Sequence, residues 1–128
     1  MNLLLVGFGG AAGSICRYLL GGWIYSAMGK PEFPLGTFAV NMIGCLLIGF
    51  LNQYAEGRQL VAEQFRSLMV VGFLGGFTTF SAFGYETVEL IREGEPAYAA
   101  INAVAQVLLG VGGCALGIWI GKLVWPGV

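Results

Sequence analysis

Histidine is absent from the 128-residue sequence, and charged side chains make up only 10% of it. Without imidazole, the chain lacks the commonest metal ligand and the one side chain that ordinarily titrates near neutral pH. A net charge of −1 provides no basic surface to neutralise phosphates, which excludes a nucleic-acid partner. The three cysteines lie inside apolar runs without metal-like spacing, so they are expected to be buried apolar side chains.

Apolar residues, by contrast, make up 57% of the chain, and the mean hydropathy is +0.80. A soluble domain normally has about a quarter charged residues, so this composition predicts a membrane protein. A bilayer core about 30 Å thick needs about 20 helical residues to span it. The segments that reach this length are 3–28, 35–55, 65–91 and 97–125. The sequence therefore predicts an all-α membrane protein in which residues 1–128 form a single four-helix transmembrane domain.

The basic residues divide evenly between the two sides of the predicted membrane. One side has Arg58, Arg66 and Lys122, in a joint or near helix ends. The other side has Lys30 and Arg92, and it also has Arg17 if the side chain of this first-span residue extends that way. Because an excess of Lys and Arg sets orientation, this balance predicts that the chain inserts in both directions. Two inverted copies would form an antiparallel homodimer, which also helps to enclose a polar path.

The third span contains the stretch GFLGGFTTFSAFGYE at residues 72–86. Its Gly-Gly and Thr-Thr pairs are weak helix formers, so the helix is expected to break there. Irregular backbone at membrane depth is tolerated only when it is buried in protein or lines a cavity, and such breaks often mark ion sites. Phe80 and Phe83 follow on one helical face. Their ring edges would favour an anion and their faces a cation, and the sequence leaves both open.

Polar side chains inside the spans are costly in lipid and are therefore candidate site residues. Most are neutral: Ser14, Thr37, Asn41, Thr78, Thr79, Ser81, Asn102 and Gln106. Glu86 is the only acid deep within a span, and Arg17 is either a site residue or a structural anchor. Single amides often serve only to join helices. Three amides and a threonine pair favour an ion path, because neutral donors can replace the water shell of a small anion.

Three segments together resemble the Fluc (CrcB) family of fluoride channels: GFLGGFTTFSAF at 72–83, LGTFAVNMIG at 35–44 and GGAAGSICRYLLG at 9–21. The resemblance extends to the chain length, the number of spans and the balanced charge, so it covers essentially the whole chain. It implies a dual-topology antiparallel homodimer in the bacterial inner membrane. Two pores in this dimer would release fluoride passively, relieve its toxicity and exclude chloride.

The resemblance also implies which residues line each pore. The edges of the Phe80 and Phe83 rings match the family's pore phenylalanines, and Asn41 matches its pore asparagine. Ser81 matches one hydroxyl of a polar track along the third helix. These residues are expected to bind fluoride.

Further positions match the family's ion and charge sites. The backbone carbonyls of Gly75 and Thr78 match those that hold a structural sodium ion at the dimer interface. Arg17 and Glu86 match charged positions near the vestibules or the pore ends. The expected cofactor is therefore sodium, and the expected partners are fluoride, lipid and a second copy of the chain.

The chain departs from the family pattern at several hydroxyl positions. Ala82 and Gly84 stand where relatives often have threonine or serine, and the fourth helix has Asn102 and Gln106 where hydroxyls are common. The polar track for fluoride is therefore expected to run along the side-chain amides of Asn102 and Gln106, with Thr37 of the second span beside it.

A small dual-topology multidrug exporter is the alternative function. Such proteins are also short and four-spanning, but they couple to protons through an acid in the first span. The first span of this chain contains Arg17 and no acid. A non-transporting assembly subunit is less consistent with the polar residues inside the spans.

Overall fold

The computed structural model describes residues 2–29, 31–56 and 63–126. All regular elements within these ranges are helical, and the third span is divided in two. Its first part, α3, is π-helical over Arg66–Leu74 and ends in the α-helical turn Gly75–Phe77. The other helices are α1 at Asn2–Ala27, α2 at Leu35–Ala55, α4 at Phe80–Arg92 and α5 at Pro96–Val124.

Among the described residues, four helical segments are long and apolar enough to cross a membrane: Asn2–Ala27, Leu35–Ala55, Glu63–Arg92 and Pro96–Val124. They confirm the all-α membrane fold and the break in the third span. The observed bounds differ from the predicted ones by at most two residues. Lys30 and Arg58, which entered the charge comparison, lie outside the described residues.

Proline and glycine set the ends of the helices. Pro34 precedes α2 and Pro96 begins α5, where a missing backbone N–H costs nothing. Gly29 and Gly94 follow α1 and α4 with φ of 72° and 84°, a left-handed conformation that glycine adopts without steric cost. These residues end α1 and α4, and short joints lead from them into α2 and α5.

The helices pack as two close pairs, α1 with α3 and α2 with α5. Glycines allow the backbones to approach: a Cβ at Gly13 would overlap the Phe73 carbonyl, and one at Gly76 would overlap the Gly10 carbonyl. Close approach through small residues replaces the hydrophobic driving force that lipid cannot supply. The packing of α1 therefore fixes the position of α3 immediately before the break.

Gly13→Ala is expected to destabilise the protein by about 1–3 kcal/mol, the usual cost of overpacking. The reason is that the new methyl group would overlap backbone atoms of α3, which cannot move aside alone. Gly7→Ala is the matched control on the same helix, because a Cβ at Gly7 has no heavy atom within 4 Å. Thermal unfolding in detergent measures both variants. Equal melting temperatures for the two would contradict this packing.

A small buried core lies against the end of α3. Val40, Leu74 and Phe77 are its most buried members, and the Phe73 and Phe77 rings stack with centroids 5.8 Å apart. Most other large apolar side chains point outwards, as expected for a surface that faces lipid or another subunit. The core thus anchors the residues that immediately precede the break.

The cysteines differ in part from the expectation of burial. All three are free thiols, and Cys45 and Cys114 are half-buried, whereas Cys16 is exposed on α1. Cys16 sits on a face of α1 that no other described helix covers, so an apolar sequence context did not guarantee burial within the subunit.

Candidate functional site

The third span unwinds at two residues. Thr78 has φ −82° and ψ 159°, and Thr79 has φ −151° and ψ 115°, so both are extended. The Thr78 N–H still donates to the Leu74 carbonyl at 3.0 Å, whereas the Thr78 carbonyl and both backbone groups of Thr79 leave the helical hydrogen-bond ladder. At membrane depth these three groups need partners from neighbouring helices.

The α1 helix supplies partners on one side of the break. Arg17 Nη1 donates to the Thr78 carbonyl at 3.2 Å, and Ser14 Oγ donates to the Gly76 carbonyl at 3.4 Å. The Thr78 hydroxyl donates to the Leu74 carbonyl at 2.9 Å. The guanidinium of Arg17, which is half-buried, thus lies at the break and places a positive charge there.

The α2 helix supplies a partner on the other side. Asn41 Oδ1 accepts from the Thr79 N–H at 2.9 Å, and Asn41 Nδ2 donates to the Thr79 carbonyl at 3.1 Å. The second Nδ2 hydrogen is directed to Gln106 Oε1, also at 3.1 Å. Thr79 Oγ1 in turn accepts from the Ala82 N–H at 3.2 Å and caps α4. Asn41 therefore pairs with the backbone of Thr79 much as a neighbouring strand would, and both its N–H groups are engaged.

A chain of hydrogen bonds continues from Gln106 along α5 and returns to α4. Gln106 Nε2 donates to Asn102 Oδ1 at 3.5 Å, and Asn102 Nδ2 donates to Thr87 Oγ1 at 2.9 Å. The Thr87 hydroxyl donates to the Phe83 carbonyl at 2.7 Å. Asn102 is completely buried. The predicted pair of α5 amides thus lies on one face of that helix, with Asn102 bonded to α4 and Gln106 bonded to α2.

The two phenylalanines of α4 border a cavity of about 340 Å³ beside the break. Their ring centroids are 5.4 Å apart with the planes at 58°, and Phe80 is 82% exposed in the single subunit. Other predicted site residues that line this cavity are Asn41, Gly75, Thr78, Thr79 and Gln106. Seven of the predicted residues therefore meet at one place, although they come from α2, α5 and both parts of the third span.

Ser81 lies at the edge of this arrangement. Its side chain is exposed, and its hydroxyl is 3.3 Å from that of Thr79. One of these two hydroxyls donates to the other, so the donor hydrogen of the accepting one remains available at the start of α4.

Thr37 and Glu86 form a separate site. Thr37 Oγ1 donates to Glu86 Oε1 at 2.6 Å, and both residues line a second cavity of about 490 Å³ with Tyr25, Glu32 and Glu93. Glu86 Oε2 is buried and has no hydrogen-bond partner among the described residues. This second cavity has carboxylates in its lining, and no residue of the break contributes to it.

Backbone carbonyls are the groups at the break that could hold a cation. Among the described residues, no group of three or more histidine, cysteine or acidic side chains is placed to hold a metal ion. Gly75 and Thr78 line the same cavity, and the Thr78 carbonyl keeps a second lone pair beside its bond from Arg17. Gly75 and Thr78 therefore lie together at the break, as the sequence predicted, and the Thr78 carbonyl keeps acceptor capacity there.

Sequence reasoning missed Thr87. Its hydroxyl joins Asn102 to the Phe83 carbonyl, which makes it part of the chain of polar contacts around the cavity. The available signal was its position four residues after Phe83, the spacing at which a threonine hydroxyl bonds a helix carbonyl.

Similarity to known proteins identifies the family of this chain. The family model for CrcB-like protein, Camphor Resistance (CrcB), matches residues 4–118. The fluoride-specific ion channel FluC of Geotalea daltonii is 44% identical over 120 residues, which is 94% of this chain and 93% of that protein. The protein of the same name from Geobacter sulfurreducens is 44% identical over 120 residues (94% and 93%), and that from Maridesulfovibrio salexigens is 46% identical over 118 residues (89% and 93%). The chain therefore belongs to the CrcB family of multi-pass membrane proteins.

Proposed function

We propose that this chain is a fluoride-selective channel that passes fluoride passively across the bacterial inner membrane and so relieves fluoride toxicity. The observation that carries the proposal is the cavity at the break, where two phenylalanine rings and two carboxamides meet within a membrane span. The relatives are named fluoride-specific ion channels, which supports the same activity. The multidrug-exporter alternative is not supported, because those relatives are channels and α1 contains no acid.

Fluoride is small and strongly hydrated, so a pore must replace its water with close donors. At the cavity these are the ring edges of Phe80 and Phe83, the second Nε2 hydrogen of Gln106 and a hydroxyl of the Thr79–Ser81 pair. Arg17 adds positive charge at the other side of the break. Chloride is larger and fits such a constriction less well, so size and field strength together give selectivity. We propose that Thr37 and Glu86 lie at a pore end.

We propose that the functional unit is an antiparallel homodimer with two pores. Phe80 is 82% exposed in the single subunit although it lines the cavity, and this supports the proposal, because a second copy that covered Phe80 would enclose the cavity. The even division of basic residues supports insertion in both directions. A twofold axis in the membrane plane would then place the break of each subunit opposite the other.

Dual topology predicts how a residue of the first joint is labelled from outside the cell. With Glu32→Cys in a chain whose native cysteines are replaced by alanine, a membrane-impermeant maleimide is expected to label about half of the protein in intact cells, because neither orientation is favoured. A cysteine at Glu56, beside the second joint, is the matched position and is expected to label equally. Labelling of nearly all of one and none of the other would contradict dual topology.

We further propose that the Gly75 and Thr78 carbonyls of both subunits hold a structural sodium ion. Replacing sodium by a large organic cation during purification is expected to lower the melting temperature of the dimer, because four carbonyl dipoles, two from each subunit, would then face one another without a cation. Identical melting curves in the two buffers would contradict the sodium site. Potassium serves as a control for ionic strength.

Passive conduction is tested electrically in planar lipid bilayers. Under a fluoride gradient the current is expected to reverse at the fluoride equilibrium potential, about 59 mV for each tenfold ratio of a univalent ion. A chloride gradient of the same size is the control and should not move the reversal potential. A reversal potential that follows protons or chloride would overturn the proposed function.

A further inference from the structure

We propose that Thr87 and Asn102 are positioning residues that hold Phe83 in place from α5. The inference rests on the proposed function, in which the Phe83 ring borders the anion path. It assigns to Asn102 a role different from direct contact with the ion, and it gives a role to Thr87.

The Asn102 side chain is completely buried and does not line the cavity beside the phenylalanines. Its Oδ1 accepts from Gln106, and its Nδ2 donates to Thr87. A carboxamide in this position reaches protein groups and not a passing ion, so its effect on permeation is transmitted through its two hydrogen-bond partners, Gln106 and Thr87.

Thr87 transmits that effect to the turn that carries Phe83. A threonine hydroxyl often bonds the carbonyl four residues earlier without any outside partner, and then it only bends the helix slightly. Here the hydroxyl oxygen also accepts from Asn102 at 2.9 Å while it donates to the Phe83 carbonyl at 2.7 Å. The first turns of α4 are thereby tied to α5 by a bond across the two helices.

The other end of the same chain holds the break. Gln106 accepts from Asn41, and Asn41 pairs with both backbone groups of Thr79. Phe83 therefore lies on a short segment that is anchored at Thr79 through α2 and at its own carbonyl through α5. In a membrane span no water competes for these amides, so each bond is costly to lose. These hydrogen bonds on both sides of Phe83 hold its ring in the cavity lining.

The test removes the hydroxyl of Thr87 and keeps its shape. In proteoliposomes, Thr87→Val is expected to lower the fluoride efflux rate roughly tenfold, because the buried Asn102 Nδ2 donor would lose its acceptor. Thr87→Ser retains the hydroxyl and is expected to restore most of the rate. In a Phe83→Ile background, Thr87→Val should add little, because the residue that it positions is already absent. An equal loss of rate in both backgrounds would overturn the inference.

A measurement independent of flux separates this inference from the proposed function. With 4-fluorophenylalanine at position 83, the ¹⁹F resonance of the purified protein is expected to shift or broaden in Thr87→Val and in Asn102→Leu but not in Thr87→Ser. Such a shift supports the positioning role even if the wild-type protein passes no fluoride, a result that would overturn only the proposed function. An identical resonance in all four proteins would overturn the positioning role even with full wild-type flux.

Discussion

Phe80→Ile and Phe83→Ile are each expected to reduce fluoride efflux by at least about tenfold, because every 1.4 kcal/mol of lost stabilisation costs a decade in rate. Isoleucine keeps the apolar bulk but lacks the positive ring edge that would partly replace water around fluoride. Both rings border the cavity at the break, with centroids 5.4 Å apart, so each contributes to the same short stretch of the path. The two substitutions therefore act on the ion and not on the fold.

Fluoride efflux from proteoliposomes, read with a fluoride electrode, measures both variants. Phe8→Ile is the matched control, because Phe8 lies on the outer face of α1, is 73% exposed and is remote from the cavity lining. It should retain the wild-type rate. Undiminished efflux in both Phe80→Ile and Phe83→Ile would remove the phenylalanines from the mechanism.

Asn41→Asp is expected to have the second large effect, a loss of about 3 kcal/mol or roughly a hundredfold in fluoride efflux. Aspartate keeps the oxygen that accepts from Thr79 N–H. It loses both donations, to the Thr79 carbonyl and to Gln106 Oε1, and turns an oxygen towards each of them. It also places an acidic group in the path of an anion. The substitution therefore weakens the hydrogen bonds that hold the break, and it also makes the electrostatic potential in the path less favourable for an anion.

Asn52→Asp, on the same helix and outside the cavity lining, is the control for the chemical change itself. It should conduct fluoride at nearly the wild-type rate. If Asn41→Asp passed fluoride faster than the wild-type protein, two claims would be contradicted: that the Asn41 hydrogen bonds support conduction, and that an acidic group in the path opposes it.

The spans and the break were predictable because their signals are local. Length and hydropathy define the four spans, and Gly-Gly and Thr-Thr predict the interruption that the structure places at Thr78 and Thr79. The spacing of Asn102 and Gln106 correctly placed both on one helical face. Each of these features depends on residues within one or two helical turns.

The partners across helices were not predictable in the same way. Arg17 donates to a carbonyl 61 residues away, and Thr37 bonds Glu86 across 49 residues. A backbone carbonyl has no residue-specific signature, so no pattern in the sequence could identify it as the partner of Arg17. No local sequence pattern predicts the π-helical conformation of Arg66–Leu74. The glycines of α1 pack against this segment only once the helices have assembled. Tertiary contacts decide these features.

The most direct measurement loads the same vesicles with fluoride and chloride and records the efflux of both ions after the protein is added. The proposed function predicts rapid loss of fluoride while chloride remains inside, and it predicts that Phe80→Ile slows only the fluoride signal. Vesicles that retain fluoride, or that release both ions at similar rates, would contradict a fluoride-selective path at the broken helix.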